Sequence, residues 1–342
     1  MDIRVLAGSP YTVTVQKGII NSVGEYAKRL TKAQRVAVIT DDNVDKLYSD
    51  AVEGSLARTG FWVCKYVFES GEKSKNIGTL EGVLEFLAKN KLTRSDIVVA
   101  LGGGVCGDLA GFAAASYLRG IGYIQIPTTF LAAVDSSVGG KTGINLGAGK
   151  NLAGAFWQPI SVLCDTETFK TLDKKIYLDG VSEVIKYGVI KDAEILKQIE
   201  SGQYDVDEIC AKCIKIKADV VAADEREAGE RRLLNFGHTV GHAIEKLSGY
   251  KISHGHGVAI GMAVIARAYG FGDEVVRVIH AAGLPTECGY SAEELYEVIL
   301  SDKKMDGGIL NLIVPEKMGK CAVLPVPADE VLGVLKRGLG AE

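Results

Sequence analysis

The chain has 342 residues, a length that suggests two domains with a core each, and its 47% hydrophobic and 24% charged residues are ordinary for a soluble globular enzyme. A net charge of −4 and a pI near 5.9 provide no global basic surface for nucleic acid or an anionic membrane, so any anionic ligand must be held by a local cluster. Seven scattered cysteines suit reduced thiols in a cytoplasm rather than a disulfide framework, and the N-terminus MDIRVLAGSPYTVTV lacks the basic flank and apolar core of a signal peptide. The apolar stretch 257–272 is broken by Arg267 and falls short of the ~20 residues of a membrane span.

Along the first 165 residues, short β-branched runs alternate with helix-length segments. RVAVIT (35–40), FWVCKYVF (61–68), DIVVAL (96–101), YIQIP (123–127) and SVLCD (161–165) read as strands, the βαβ rhythm of a parallel sheet covered by helices. After SVLCD no proline occurs between Pro159 and Pro285, and the apolar spacing changes to about 3.6 residues. The expectation is an α/β, Rossmann-like domain over 1–172 followed by an all-helical domain over 173–342, with NLIVP (311–315) and CAVLP (321–325) as a small late hairpin.

Directly after DIVVAL, Gly102, Gly104 and Gly107 satisfy GxGxxG at a strand-to-helix junction, where glycine lets a backbone approach a pyrophosphate at a helix N-terminus. The acidic residue of the usual fingerprint, about 20 positions on, is absent; the bland alternative is a tight turn with close helix packing. The segment VDSSVGGKTGINLGAGKN (134–151) invites a P-loop reading, but Asp135 stands where that motif needs glycine. It reads instead as a long polar loop, its lysines suited to an anionic substrate, or as a solvated surface. Cys210 and Cys213 form a lone CxxC inside a helical pattern, without a second CxxC to make a zinc set.

Four of the five histidines lie between Asn235 and His256. His238 and His242, four apart in a helical stretch, share a face; His254 and His256 read as a loop before an apolar helix. Such crowding points to a metal or acid–base site, against a background of histidines that cap helices or fill cores. Two histidines and a carboxylate make a common catalytic zinc set. Glu183, with Lys186 one turn on, is the best candidate, which spacing alone leaves open.

These segments, taken together and in order, resemble the 3-dehydroquinate synthases. The motifs are TDDNV, SGEKSK, GGGVCGDLAGFAAASYLRG, IPTTFLAAVDSSVGGKTGIN, GKNLAGAFWQP, EVIKYGVIKD, DEREAGERRLLNFGHTVGHAIE, HGHGVAIGM and DKK, spread over nearly the whole chain. The resemblance implies a cytoplasmic homodimer that uses NAD and zinc or cobalt to convert 3-deoxy-D-arabino-heptulosonate 7-phosphate to 3-dehydroquinate and phosphate. Transient oxidation, phosphate elimination, reduction and aldol closure would regenerate NAD in each turnover.

Carried over by motif, the metal ligands are Glu183, His238 and His254. Asp41, Asn43, Glu72, Lys75, Gly103, Gly104, Val105, Asp108, Thr128, Thr129, Lys141, Lys150 and Asn151 would meet NAD. Arg119, Asp135, Lys141, Lys150, Lys186, Lys217, Arg231, Asn235, His242 and Lys303 or Lys304 would meet the substrate, with catalytic roles at Lys141, Lys186, Glu227 and His242. The chain departs from the family pattern at His256, where HGEAV would have an acid, and at Thr171–Lys175, where TLP and an acid–Arg pair are usual. The alternatives are another sugar-phosphate cyclase, of deoxy-inosose or valiolone type, and a metal-dependent polyol dehydrogenase. No nucleic-acid or membrane partner is expected.

Overall fold

A computed structural model of the chain describes residues 1–227, 229–301 and 308–340. It divides into two compact units, Met1–Leu172 with Cys210–Arg226, and Asp173–Ile209 with Glu227–Glu342. The segment 210–226, expected in the second domain, therefore groups with the first. Among the described residues no helix is long and apolar enough to cross a membrane.

The first unit runs β1 (Asp2–Val5), β2 (Tyr11–Val15), α1 (Val23–Leu30), β3 (Arg35–Asp41), α2 (Asp42–Val44), α3 (Asp50–Arg58), β4 (Trp62–Phe68), α4 (Ile77–Lys89), β5 (Ile97–Gly102), α5 (Gly104–Ser116), β6 (Gly122–Pro127), β7 (Lys141–Leu146), β8 (Gly149–Phe156) and β9 (Ser161–Cys164). Seven strands form one sheet in the order β1-β2-β9-β6-β5-β3-β4, parallel except for the β1–β2 pair. The five strands expected from apolar runs are all present. The runs of β3 and β5 lack polar alternation because both faces are covered: Ala37, Ile39, Val98 and Ala100 pack with α4 and α5, whereas Val36, Val38, Val99 and Leu101 pack with α1 and α3. The edge strand β4 is only partly buried.

The polar segment 134–151 is not the loop its composition suggests. Lys141 pairs with Phe156 and Leu146 with Gly149 in an antiparallel β7–β8 hairpin. Gly143 and Gly154 face each other so closely that a Cβ on Gly154 would lie 2.1 Å from the Thr142 carbonyl oxygen. Glycine here serves close backbone approach within strands, which a reading of glycine as loop punctuation inverts.

The second unit contains α6 (Lys174–Ile190), α7 (Ala193–Ser201), the start of α8 (Val206–Ala223), α9 (His238–Leu247), α10 (His254–Ala268), α11 (Gly272–Ala281), α12 (Ala292–Ser301), the hairpin of β10 (Ile309–Lys317) and β11 (Lys320–Pro327), and α13 (Ala328–Leu339). Every residue of α10 from Gly257 to Ala266 is buried, as expected of a helix surrounded by others, here α6, α9, α11 and α13. Small residues set how closely α9 and α10 approach. A Cβ on Gly261 would lie 2.0 Å from the Gly237 carbonyl oxygen, and one on Gly241 would lie 2.9 Å from the Gly257 carbonyl carbon. That spacing brings the histidines at the N-termini of both helices to the side of α6 that carries Glu183.

Candidate functional site: a histidine–carboxylate centre and a glycine cradle

In the second unit, His254 and His256 belong to the first turn of α10, not to a preceding loop. His238 opens α9 behind Gly237, whose φ of 77° suits glycine. Glu183 lies on the buried stretch of α6 with no exposed surface. The His238 Nε2 is 3.6 Å and the His254 Nε2 3.5 Å from Glu183 Oε1, and one ligand atom from each of the three residues falls within 4.8 Å of the others.

The opposite ring nitrogens are already committed. His238 Nδ1 donates to the Phe236 carbonyl at 3.1 Å, and His254 Nδ1 donates to Glu245 Oε1 at 2.8 Å. Fixing Nδ1–H leaves Nε2 as the ligating nitrogen, the arrangement that outer hydrogen bonds produce at histidine metal sites. Burial, opposed in part by Glu183, lowers the His238 pKa to about 4, so its imidazole is neutral near pH 7. A neutral Nε2 lone pair and a carboxylate oxygen are both acceptors, and their juxtaposition calls for a cation. The donor set therefore fits zinc or cobalt.

Protein charges also meet this group. Lys186 forms an ion pair with Glu183 one turn away. For His254, burial acts to lower the pKa, but Glu183 and Glu245 outweigh it and hold the imidazole up to about 10. His242, Glu245 and His254 form a second possible ligand group. Glu245 is better explained as the partner that orients His254, because it occupies Nδ1. The His242 ring lies 5.5 Å from that of His238 and 5.6 Å from that of His254, centre to centre. His256 is not in either ligand group; it is bonded to Asp179.

Other expected groups of this unit cluster less tightly. Asn235 Nδ2 donates to Glu227 Oε1 at 2.7 Å, and Glu227 adopts a left-handed φ of 63°. Arg231 is 2% exposed, in the short 3-10 turn Glu230–Asn235. Lys303 and Lys304 lie outside the described residues.

In the first unit, Asp41 and Gly102 end the adjacent strands β3 and β5, and Gly103 and Thr128 directly follow β5 and its neighbour β6. The chain leaves β3 towards β4 and β5 towards β6, on opposite sides, so the β3/β5 crevice is the switch point where open α/β sheets bind ligands. Gly103 precedes α5 with no side-chain cap, leaving backbone N–H groups for a ligand. A Cβ on Gly103 would meet Thr129 Cγ2 at 3.1 Å, and one on Gly104 would meet Ser136 Oγ at 3.0 Å. Among the described residues, the buried Thr128 Oγ1 has no hydrogen-bond partner. An uncapped helix start and an orphaned hydroxyl at a switch point fit a dinucleotide.

Asp41 caps α2 by accepting from Asn43 N and Val44 N, both at 3.0 Å, and Asn43 Nδ2 donates to Ser70 Oγ. Lys75, 4% exposed, donates to Asp108 Oδ2 at 2.5 Å and Asn151 Oδ1 at 2.6 Å. Burial raises the Asp108 pKa, with Lys75 opposing. Asn145, a residue with no role assigned from the sequence, ties this group together: its side chain donates to Glu72 and accepts from Asn151 N, and its N–H donates to the Lys75 carbonyl. No spacing rule links residues 72, 75, 108, 145 and 151; only the hairpin does. Lys217 ion-pairs with Asp135. Arg119 is exposed and follows Leu118 in left-handed backbone, with φ of 68° and 51°. Lys141 and Lys150 sit on β7 and β8.

A glycine cradle at a parallel-sheet switch point and a two-histidine, one-glutamate centre on helices are the parts of a metal-dependent enzyme of the dinucleotide-binding class. Residues 65–179 match the family described as 3-dehydroquinate synthase N-terminal, and residues 180–305 match 3-dehydroquinate synthase C-terminal. A 3-dehydroquinate synthase of Streptococcus suis is 42% identical over 97% of this chain and 98% of its own length, and one of Enterococcus faecalis is 43% identical over 96% of each. A solved 2-deoxy-scyllo-inosose synthase, complexed with carbaglucose-6-phosphate, NAD+ and Co2+, superposes with a TM-score of 0.89 over 99% of this chain and all of its own, at 25% identity. The chain belongs to the 3-dehydroquinate synthase family.

Proposed function

We propose that this chain converts 3-deoxy-D-arabino-heptulosonate 7-phosphate to 3-dehydroquinate and phosphate, as a lyase of the shikimate pathway with NAD and one divalent cation as resident cofactors. The observation that carries it is the meeting of two Nδ1-anchored histidines with the buried Glu183 carboxylate, in a chain that matches the family in both halves. When bound, the dinucleotide accepts a hydride and returns it within one turnover, and the cation polarises substrate hydroxyls.

In this reading Glu183, His238 and His254 hold the cation. The α5 N-terminus with Gly103, Gly104 and Val105 receives the pyrophosphate, while Thr128 and Thr129 supply hydroxyls beside it. Asp41 lies on the strand next to the glycine turn, so an acid for ribose hydroxyls comes from upstream in the sequence rather than ~20 residues downstream. Lys75 holds the Asp108 and Asn151 side chains in place, and Asn43, Glu72, Lys141 and Lys150 complete the cofactor set. The resemblance assigns Arg119, Asp135, Lys141, Lys150, Lys186, Lys217, Arg231, Asn235 and His242 to a substrate that bears a phosphate and a carboxylate. Lys141, Lys186, Glu227 and His242 are the candidates for proton handling at the substrate. The same reading makes the enzyme a homodimer and, in keeping with seven free cysteines, a cytoplasmic one.

The test is metal content with activity. Chelation should abolish product formation, and zinc or cobalt should restore it. His238→Ala should lose both metal and activity while its circular dichroism stays native. Full metal occupancy in His238→Ala would refute the ligand assignment. Turnover of a different sugar phosphate instead would move the chain to a deoxy-inosose or valiolone type of cyclase.

A further inference from the structure

Asp179 lies one turn before Glu183 on α6, so the two carboxylates project from the same helix face. Glu183 faces His254, and Asp179 grips the residues on either side of it. Its Oδ1 accepts from Ser253 Oγ at 2.7 Å, from the His256 backbone N–H at 3.1 Å and from His256 Nδ1 at 2.8 Å. Ser253 stands at the N-cap of α10 but makes no capping bond of its own. A carboxylate borrowed from another helix therefore satisfies an otherwise orphaned first-turn N–H, at the helix end where negative charge is favoured. Between the two gripped residues, Gly255 lies directly on α6: a Cβ there would be 2.3 Å from Asp179 Cα.

We infer that Asp179, Ser253 and His256 form a latch that fixes the first turn of α10 on α6 and thereby sets the position of His254 relative to Glu183 for metal binding. Asp179 is a positioning residue in this account. It touches neither the cation nor the substrate, and acts through the backbone around His254. Two anchors hold that histidine: Glu245 sets the rotation of its ring, and the latch sets the position of its backbone. His256, which stands where family members usually have an acid, is a partner of Asp179 and not a competing ligand.

The inference rests on the assignment of Glu183, His238 and His254 as ligands, so its test keeps the two apart. Co2+ affinity of the full chain would be measured by competition with a chromophoric chelator, together with the visible d–d spectrum of the bound ion, for wild type, Asp179→Ala, Asp179→Asn, Ser253→Ala, His238→Ala and Asp192→Ala. Asp192 caps α7 by accepting from Glu194 N at 3.1 Å and serves as a control for loss of a helix cap elsewhere in the unit. Asp179→Ala should still bind one ion, at affinity lowered roughly 10- to 100-fold, with a shifted spectrum. Asp179→Asn retains an acceptor and should recover most of that loss, Ser253→Ala should fall between, and Asp192→Ala should stay within about twofold of wild type.

If Asp179→Ala and Ser253→Ala bind Co2+ as wild type does while His238→Ala does not, the latch is refuted and the ligand assignment stands. If His238→Ala also binds normally, the ligand assignment fails and the latch with it. Equal losses in Asp192→Ala and Asp179→Ala would reduce the effect to general helix stability and also overturn the proposal. Should Asp179→Ala not fold, Asp179→Asn and Ser253→Ala decide: wild-type affinity and spectrum in both refute the latch.

Discussion

Replacing Lys75 by Met removes one ammonium and little volume, and it strands Asp108. Lys75 Nζ lies 2.5 Å from Asp108 Oδ2, and the two side chains are 5% and 21% exposed. Breaking a buried pair by removing one partner costs about 3–5 kcal/mol; the partial exposure of Asp108 argues for the lower figure. For a unit of this size, about 3 kcal/mol corresponds to a fall of ~6–12 °C in melting temperature. The loss should also depend on pH. Burial already raises the Asp108 pKa above 3.8, with Lys75 opposing, so in Lys75→Met it rises further. A carboxyl that binds its proton more tightly when folded stabilises most at low pH, and that stability is lost as pH rises from the unfolded value through the folded one. The Lys75→Met melting temperature should therefore drop more steeply than that of wild type as pH rises above the ordinary carboxylate range. Adding Asp108→Asn should restore much of the loss at pH 8. A Lys75→Met protein with the wild-type pH slope, or one that loses less than about 1 kcal/mol, would show that the pair is not the buried charge couple described here.

Gly261→Ala forces a Cβ to 2.0 Å from the Gly237 carbonyl oxygen and 2.9 Å from Gly241 N, backbone atoms that cannot rotate away; stability should fall by at least about 1–3 kcal/mol, and Co2+ affinity should fall with it as α9 and α10 separate. Thr128→Val removes the buried hydroxyl that lacks a partner, so thermal melts should show equal or higher stability while calorimetry shows weaker NAD+ binding; unchanged NAD+ affinity would remove Thr128 from the cofactor site. Arg119→Ala and Lys150→Ala should each lower kcat/KM by about 10- to 100-fold if they bind a substrate anion, at ~1.5–3 kcal/mol per charge-assisted bond, whereas the surface control Lys32→Ala should change it little. Arg119→Gly relieves the left-handed backbone at that position and should keep melting behaviour near wild type while losing as much activity as Arg119→Ala.

What the sequence made legible follows from which interactions are local. The strands 35–40, 96–101, 123–127 and 161–165 announce themselves because both faces of the sheet are buried there, which produces unbroken apolar runs. The segment 61–68, at the sheet edge and only partly buried, is legible from its β-branched and aromatic residues. The edge pair β1–β2 and the hairpin β7–β8 carry no such runs; lysine, asparagine and glycine in β7–β8 imitate a loop. The crowding of His238, His242 and His254 was visible as a count; Glu183 stood as the best candidate carboxylate, and the resemblance selected it. The groups that hold those residues in place were not visible. Glu245 is nine residues from His254 and Asp179 is 77 from His256, and no periodicity connects such partners. The same is true of Asn145, whose bonds to Glu72, Lys75 and Asn151 exist only because a hairpin folds back on a loop.

A cyclase that borrows a hydride and returns it reveals itself in its stoichiometry. Enzyme would be loaded with zinc or cobalt, given NAD+ far below the concentration of 3-deoxy-D-arabino-heptulosonate 7-phosphate, and followed for phosphate, dehydroquinate and the absorbance of NADH. Many equivalents of phosphate and dehydroquinate per NAD+, equal to each other and without lasting NADH, are the expected result. One NADH accumulating for each substrate consumed would contradict it and identify a polyol dehydrogenase.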